Sequence, residues 1–162
     1  MINRNKSKRN WYIVGVVTML LGGIWLFFHF TYFFNPLTFK KDDVTYLPWS
    51  WYENPLTIEY MVLEDEGWQG KIVDDGSEVK FVIDQLKSSP VIQDADREEY
   101  QTSDNIIRLI VLRRGDDAIL LEVRQEWEGN VFYFTHNRVF VKVTEELEML
   151  FEERFSQVEK LH

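Results

Sequence analysis

Histidine is the side chain that most readily moves protons near neutral pH, and this chain has three of them: His29, His136 and His162. They lie far apart in sequence, and none belongs to an H-E-x-x-H pair of zinc ligands. His136 stands alone between two β-rich runs, where it reads as a turn residue and not as a general base. The G-x-S-x-G, G-x-G-x-x-G and phosphate-loop patterns are missing. There is no cysteine, which excludes thiolate zinc sites, disulfide scaffolds and cysteine nucleophiles.

Carboxylates are the abundant chemical group, with 27 Asp and Glu. A glycosidase-type acid pair is therefore conceivable by count, yet no spacing selects one pair over another. The most metal-like stretch, Asp94-Ala95-Asp96-Arg97-Glu98, starts like a calcium loop. It fails where that loop demands particular chemistry, with Glu99 in place of the sharp-turn glycine and Asn105 in place of the bidentate glutamate. Asp74-Asp75-Gly76 reads as a turn followed by a helix cap. No catalytic, cofactor-binding or metal-ligating residue is assigned, and no cofactor is expected.

Charge is unevenly placed. Arg4, Lys6, Lys8 and Arg9 precede every acid, the first of which is Asp42. Removing those four from 18 Lys and Arg leaves 14 against 27 acids, a balance of −13 for the remainder. Such a body repels nucleic acid, anionic lipid headgroups and polyanionic wall polymers, so no nucleic-acid partner is expected. Between the two charge zones runs Trp11 to Phe34, WYIVGVVTMLLGGIWLFFHFTYFF, without a formal charge if His29 is neutral. As a helix it is about 36 Å long, enough for a hydrocarbon core of about 30 Å. Trp11, Tyr12 and Tyr32 suit the aromatic belts at its ends. The basic cluster before the run, against Lys40 and Lys41 offset by Asp42 and Asp43 after it, predicts a cytoplasmic N-terminus and an extracytoplasmic body. No small-residue cleavage site follows, so the segment is expected to stay as an uncleaved signal anchor in the cell membrane.

Two sets of residues are candidates for interaction. Gly15, Thr18, Gly22 and His29 recur along one stripe of the predicted helix, where small residues let a second helix approach and His29 offers a polar contact. The stripe either contacts a second copy or an envelope partner's span, giving a homo-oligomer or a complex, or belongs to a helix that is a plain tether. Residues 35–55 form a connector holding three of the four prolines and a cluster with the aromatics Tyr46, Trp49, Trp51 and Tyr52. These either cover the domain as a hydrophobic flap or rest on the membrane as an interfacial foot.

The elements beyond position 55 must position whatever the body does. At 45% hydrophobic and 15% aromatic residues, the composition is that of a packed domain. Leu56 to Leu63 alternates as a half-buried strand and Lys71 to Val73 returns beside it. Asp75, with Glu78 three residues on, starts a helix carrying Val79, Val82, Ile83 and Leu86, which Ser88, Ser89 and Pro90 end. Val91 to Asp104 reads as an acidic surface loop. Ile106–Arg113 and Ala118–Arg124 form a hairpin; with Gly115-Asp116 as a type II′ turn, Leu112, Ile110 and Arg108 face Ile119, Leu121 and Val123. A second hairpin turns at His136-Asn137 and pairs Thr135 with Arg138, setting Phe132 and Phe134 opposite Val141 and Val139. Thr144 caps a last helix with the apolar stripe Leu147, Leu150, Phe151, Phe155 and Val158.

The predicted order β-β-α-β-β-β-β-α after one transmembrane helix is an α+β domain with an antiparallel sheet and two amphipathic helices. In this layout the chain resembles the small uncharacterised single-pass membrane proteins of Bacillus-type bacteria, the YfmQ-like ones. That resemblance implies a membrane address and carries over no functional residue. Two function classes remain. One is a non-enzymatic, tethered extracytoplasmic module that binds or regulates another envelope protein; the alternative is a carboxylate-dependent hydrolase acting on cell-wall material.

Overall fold

The computed structural model describes residues 4–65, 67–92, 102–113, 115–127 and 130–159. The element order is α1 (Arg4–Thr31), a single 3-10 turn (Trp49–Trp51), β1 (Leu56–Glu64), β2 (Gly67–Val73), α2 (Gly76–Ser88), β3 (Val91–Ile92), β4 (Thr102–Arg113), β5 (Ala118–Trp127), β6 (Val131–Phe134), β7 (Phe140–Lys142) and α3 (Glu145–Glu159). The strands form one seven-stranded sheet in the order β2-β1-β4-β5-β6-β7-β3, with every pairing antiparallel. The chain is thus an α+β domain preceded by a long apolar helix.

The alternation in β1 sets the sheet's two faces. Ile58, Tyr60 and Val62 point inward, and cross-strand pairing continues their row through Val111, Leu109 and Val123 to Phe134. Onto that face pack Val79, Val82, Ile83 and Leu86 of α2 and Leu147, Phe151, Phe155 and Val158 of α3. Both helices start as their caps dictate. Asp75 Oδ1 accepts from Ser77 N at 2.9 Å, and Thr144 Oγ1 accepts from Leu147 N at 3.3 Å. Thr144 also donates to Gln85 Oε1 at 2.7 Å, so the start of α3 is tied to α2. α2 carries the chain from the β2 edge to β3 at the opposite edge, and α3 returns to β2, where Lys71 Nζ donates to Gln157 Oε1.

Several expectations need correction. The apolar helix ends at Thr31, and Tyr32, Phe33 and Phe34 leave it to join the domain. β2 begins at Gly67, not Lys71. Val91–Ile92 is a short strand on β7, and β4 starts at Thr102, so the acidic loop is shorter than its sequence suggested; Asp94 to Glu99 lies outside the described residues. The largest correction is in the first hairpin. Leu112 does oppose Ile119, but Leu120 is bulged, and beyond it Val111 pairs Leu121, Ile110 pairs Glu122 and Leu109 pairs Val123. The slip has a physical cause. The unbulged register would set Arg108 in the core beside Val123, whereas the bulge buries Leu109, Val111, Leu120 and Leu121 and turns Arg108 to the helix-free face.

The second hairpin keeps its expected register, with Phe132 opposite Val141 and Tyr133 opposite Phe140. Its turn is wider than two residues: Phe134 N donates to Val139 O at 2.9 Å, and the positive φ of 57° falls on Arg138 instead of His136 or Asn137. Asn137 Oδ1 accepts from Val139 N at 3.1 Å, which supplies locally what its own backbone conformation was expected to supply. Because Phe134 is 1% exposed, Phe134→Ala should lose about 3–5 kcal/mol in denaturant unfolding. Tyr133→Ala, on the helix-free face, should lose clearly less; equal losses would contradict the register.

Candidate functional site

The 35–55 connector is a clasp, and it begins where α1 stops. The last carbonyls of a helix lack intrahelical donors. Here Asn54 N donates to Thr31 O at 2.9 Å and Asn54 Nδ2 to Phe30 O at 3.4 Å. In return Phe33 N donates to Tyr52 O at 2.8 Å, so Tyr32 and Glu53 form an antiparallel bridge. Aromatic rings fill the joint. Trp49 meets Tyr32 edge-on at 4.7 Å and Phe28 at 5.9 Å, while Phe34 and Phe39 lie 5.1 and 5.8 Å from Tyr52. Val44 and Tyr52, at 3% and 1% exposed, belong to the domain core itself.

The candidate aromatics therefore divide by residue. Tyr52 is sealed in the core, where burial pushes its hydroxyl pKa far up, and it cannot reach a membrane interface without unfolding the joint. Tyr46 stacks on His136 at 3.8 Å, and its pKa is raised by burial and by the nearby Glu122 carboxylate. Trp49 packs under the helix end. Trp51 is 45% exposed with the Arg113 guanidinium 5.8 Å from its ring, and Leu37 is 92% exposed on the turn that Asn35 organises. Along α1, the Gly15 and Gly22 positions face open space, Thr18 Oγ1 donates to Val14 O at 2.9 Å, and His29 stacks on Trp25 at 5.2 Å. The four stripe residues share a face of the helix, and the domain does not cover it.

Two ion-paired clusters hold the domain's buried charge. Glu78, expected to close a capping box, turns instead to the core: it accepts from Tyr60 Oη at 2.9 Å and from Arg154 Nε and Nη2 at 2.9 and 2.6 Å. This two-pronged contact joins α2, β1 and α3. On the helix-free face Glu122 accepts from Arg108 Nε at 2.6 Å, from Arg124 Nε at 2.8 Å and from Thr135 Oγ1 at 3.2 Å. Arg108 also lies 5.7 Å over Trp68. The same sheet face carries the exposed apolar residues Leu63 of β1, Ile72 of β2 and Ile119 of β5. Sequence reasoning missed Asn54, Arg154 and the Glu122 group. Only Asn54, ahead of a proline, carried a local signal; Arg154 meets Glu78 between two helices, and the Glu122 group assembles from neighbouring strands.

In both clusters the carboxyl is held below its ordinary value. A general acid needs a carboxyl pKa raised towards the working pH. Burial opposes the charge of Glu122, but the bonds from Arg108 and Arg124 outweigh it and hold the carboxyl below its ordinary value. The Arg154 fork lowers Glu78 against the opposing effect of burial. Asp42, close to Thr45 and Lys87, is likewise lowered although burial pushes the other way. Among the described residues no three His, Asp or Glu gather as metal ligands. Comparison with protein-family models, with curated proteins and with solved structures finds no match for the chain.

Because the folded pKa of Glu78 is depressed, its stabilisation is present above the unfolded value of about 4.3 and is lost as pH falls through the folded one. Glu78→Gln should cost about 2 kcal/mol at pH 7, as loss of charged hydrogen bonds does. The gap between parent and variant should narrow on acidification below that value. A gap in urea unfolding that is the same at pH 7 and pH 3 would remove the ion pair from the account of stability.

Proposed function

We propose that this protein is a single-pass membrane protein whose acidic domain stands outside the cytoplasm as a non-enzymatic binding or regulatory module of the cell envelope. One observation carries the reading: Trp11–Thr31, at a mean hydropathy of 2.1 and with no residue buried, extends from a domain to which its end is hydrogen-bonded. A bare apolar helix of that length needs a non-aqueous surrounding, and at about 31 Å it matches a bilayer core. The basic residues ahead of it favour retention of the N-terminus in the cytoplasm. Binding is supported by the helix-free sheet face, which carries the exposed Leu63, Ile72 and Ile119 on the same side as the ion-paired Arg108, Glu122 and Arg124. The envelope partner would be read by that mixed surface.

Since the chain has no cysteine, single replacements report topology cleanly. Glu146→Cys, on the exposed side of α3, should react with a membrane-impermeant maleimide in intact cells, and Ser7→Cys should react only after lysis. The reverse pattern, or a mature chain lacking residues 1–31, would overturn the reading.

A further inference from the structure

A groove of about 370 Å³ lies between α3 and the covered face of the sheet, away from the clasp. Its floor is the row that cross-strand pairing runs from Val62 through Ile107 to Gln125, joined by Phe132 of β6. Phe151 and Phe155 of α3 complete the apolar side, with the Phe151 ring 5.1 Å from Phe132 and 5.7 Å from Phe155. The next row of the same face carries Leu109 and Val123, both fully buried. Gln125, by contrast, is polar and only half-buried, so the face opens and changes character here.

Charge in this groove has one sign, and the lining residues themselves carry it. Glu148 and Glu152 both line the groove one helical turn apart, a spacing at which like carboxylates repel. Glu148 is half-buried, so water screens that repulsion only in part. Neither side chain has an ion-pair or hydrogen-bond partner among the described residues, and no described Lys or Arg lines the groove. The bases closest in sequence are committed elsewhere: Arg108 and Arg124 pair with Glu122 on the helix-free face, and Arg154 pairs with Glu78 of α2. Lys142 stands opposite Val131, on the sheet face away from Phe132.

We propose that this groove binds a small organic cation, with one ammonium or guanidinium group held by Glu148 and Glu152 and an aromatic or branched apolar body lying over Ile107 and the phenyl rings. Two unpartnered carboxylates beside apolar space match the two ends of such a molecule. The volume is that of a small-molecule pocket, which favours a free ligand over one side chain of a docked protein. Because the site lies within the domain, the inference stands apart from the membrane reading.

The test is equilibrium dialysis of 2-phenylethylammonium with the full chain in phosphatidylcholine nanodiscs, where protein-free nanodiscs measure partition into lipid. The parent should bind one cation per chain, saturably, and 3-phenylpropanoate, of similar size and opposite charge, should not bind. Glu148→Gln with Glu152→Gln keeps the shape of the groove and should weaken binding about tenfold, as loss of a charged hydrogen bond does. Glu145→Gln with Glu146→Gln removes the same charge from exposed positions of α3 outside the groove and should leave binding as in the parent. Equal weakening by the two double variants would assign the attraction to the acidic body as a whole and overturn the proposal. So would a parent without saturable binding, a groove variant with parental binding, or equal affinity for the neutral 2-phenylethanol. Binding of acetyl-Phe-Lys-amide without binding of the free amine would give the groove to a partner protein's side chain, and that result too would overturn it.

Discussion

The carbonyl oxygens at the end of α1 need donors, and how they obtain them shapes the first third of the molecule. The last carbonyls of an α-helix have no donors within the helix itself. Asn54 supplies two donors, from its backbone and its side chain, and the exchange between Phe33 and Tyr52 closes the bridge. For the 52–54 segment to reach Thr31, the chain from Asn35 to Trp51 must loop out and return. That loop drops Val44 and Tyr52 into the core on its way. The helix and the domain are consequently one hydrogen-bonded piece, and β1 begins directly from the clasp at Leu56.

Two packing demands then order the rest of the domain. One sheet face must take the apolar stripes of α2 and α3, and the other must remain compatible with solvent or a partner. The bulge at Leu120 reconciles them by keeping Leu109, Val111, Leu121 and Val123 on the covered side while Arg108, Glu122 and Arg124 share the open one. Charge that is buried in this arrangement is paired: Glu78 by Arg154, Glu122 by two arginines.

Much of this was legible in the sequence because it is local. The phase of Ile58, Tyr60 and Val62, the caps at Asp75 and Thr144, the stripe Leu147 to Val158 and the register of Phe132 against Val141 each depend on spacing within one element or one hairpin. What was hidden depends on partners remote in sequence. Nothing near Leu120 announces a bulge, since its cause is the unsuitability of Arg108 for the core on the neighbouring strand. Nothing near Glu78 announces Arg154, 76 residues away. The connector read as a loop because its prolines and aromatics lack periodicity, yet its order comes from the end of α1. Of the candidate interaction residues, the composition identified the aromatic cluster but not which members are sealed: Tyr52 and Trp51 are neighbours in sequence and opposites in exposure.

The rigid union of helix and domain is tested most directly by amide hydrogen exchange on the full chain reconstituted in nanodiscs. The amides of Phe33 and Asn54, which bridge the two parts, are expected to exchange as slowly as that of Ile58 in the buried strand β1. Exchange of both at the rate of an open loop, with Ile58 still protected, would show a hinge where the clasp is described and would contradict the account.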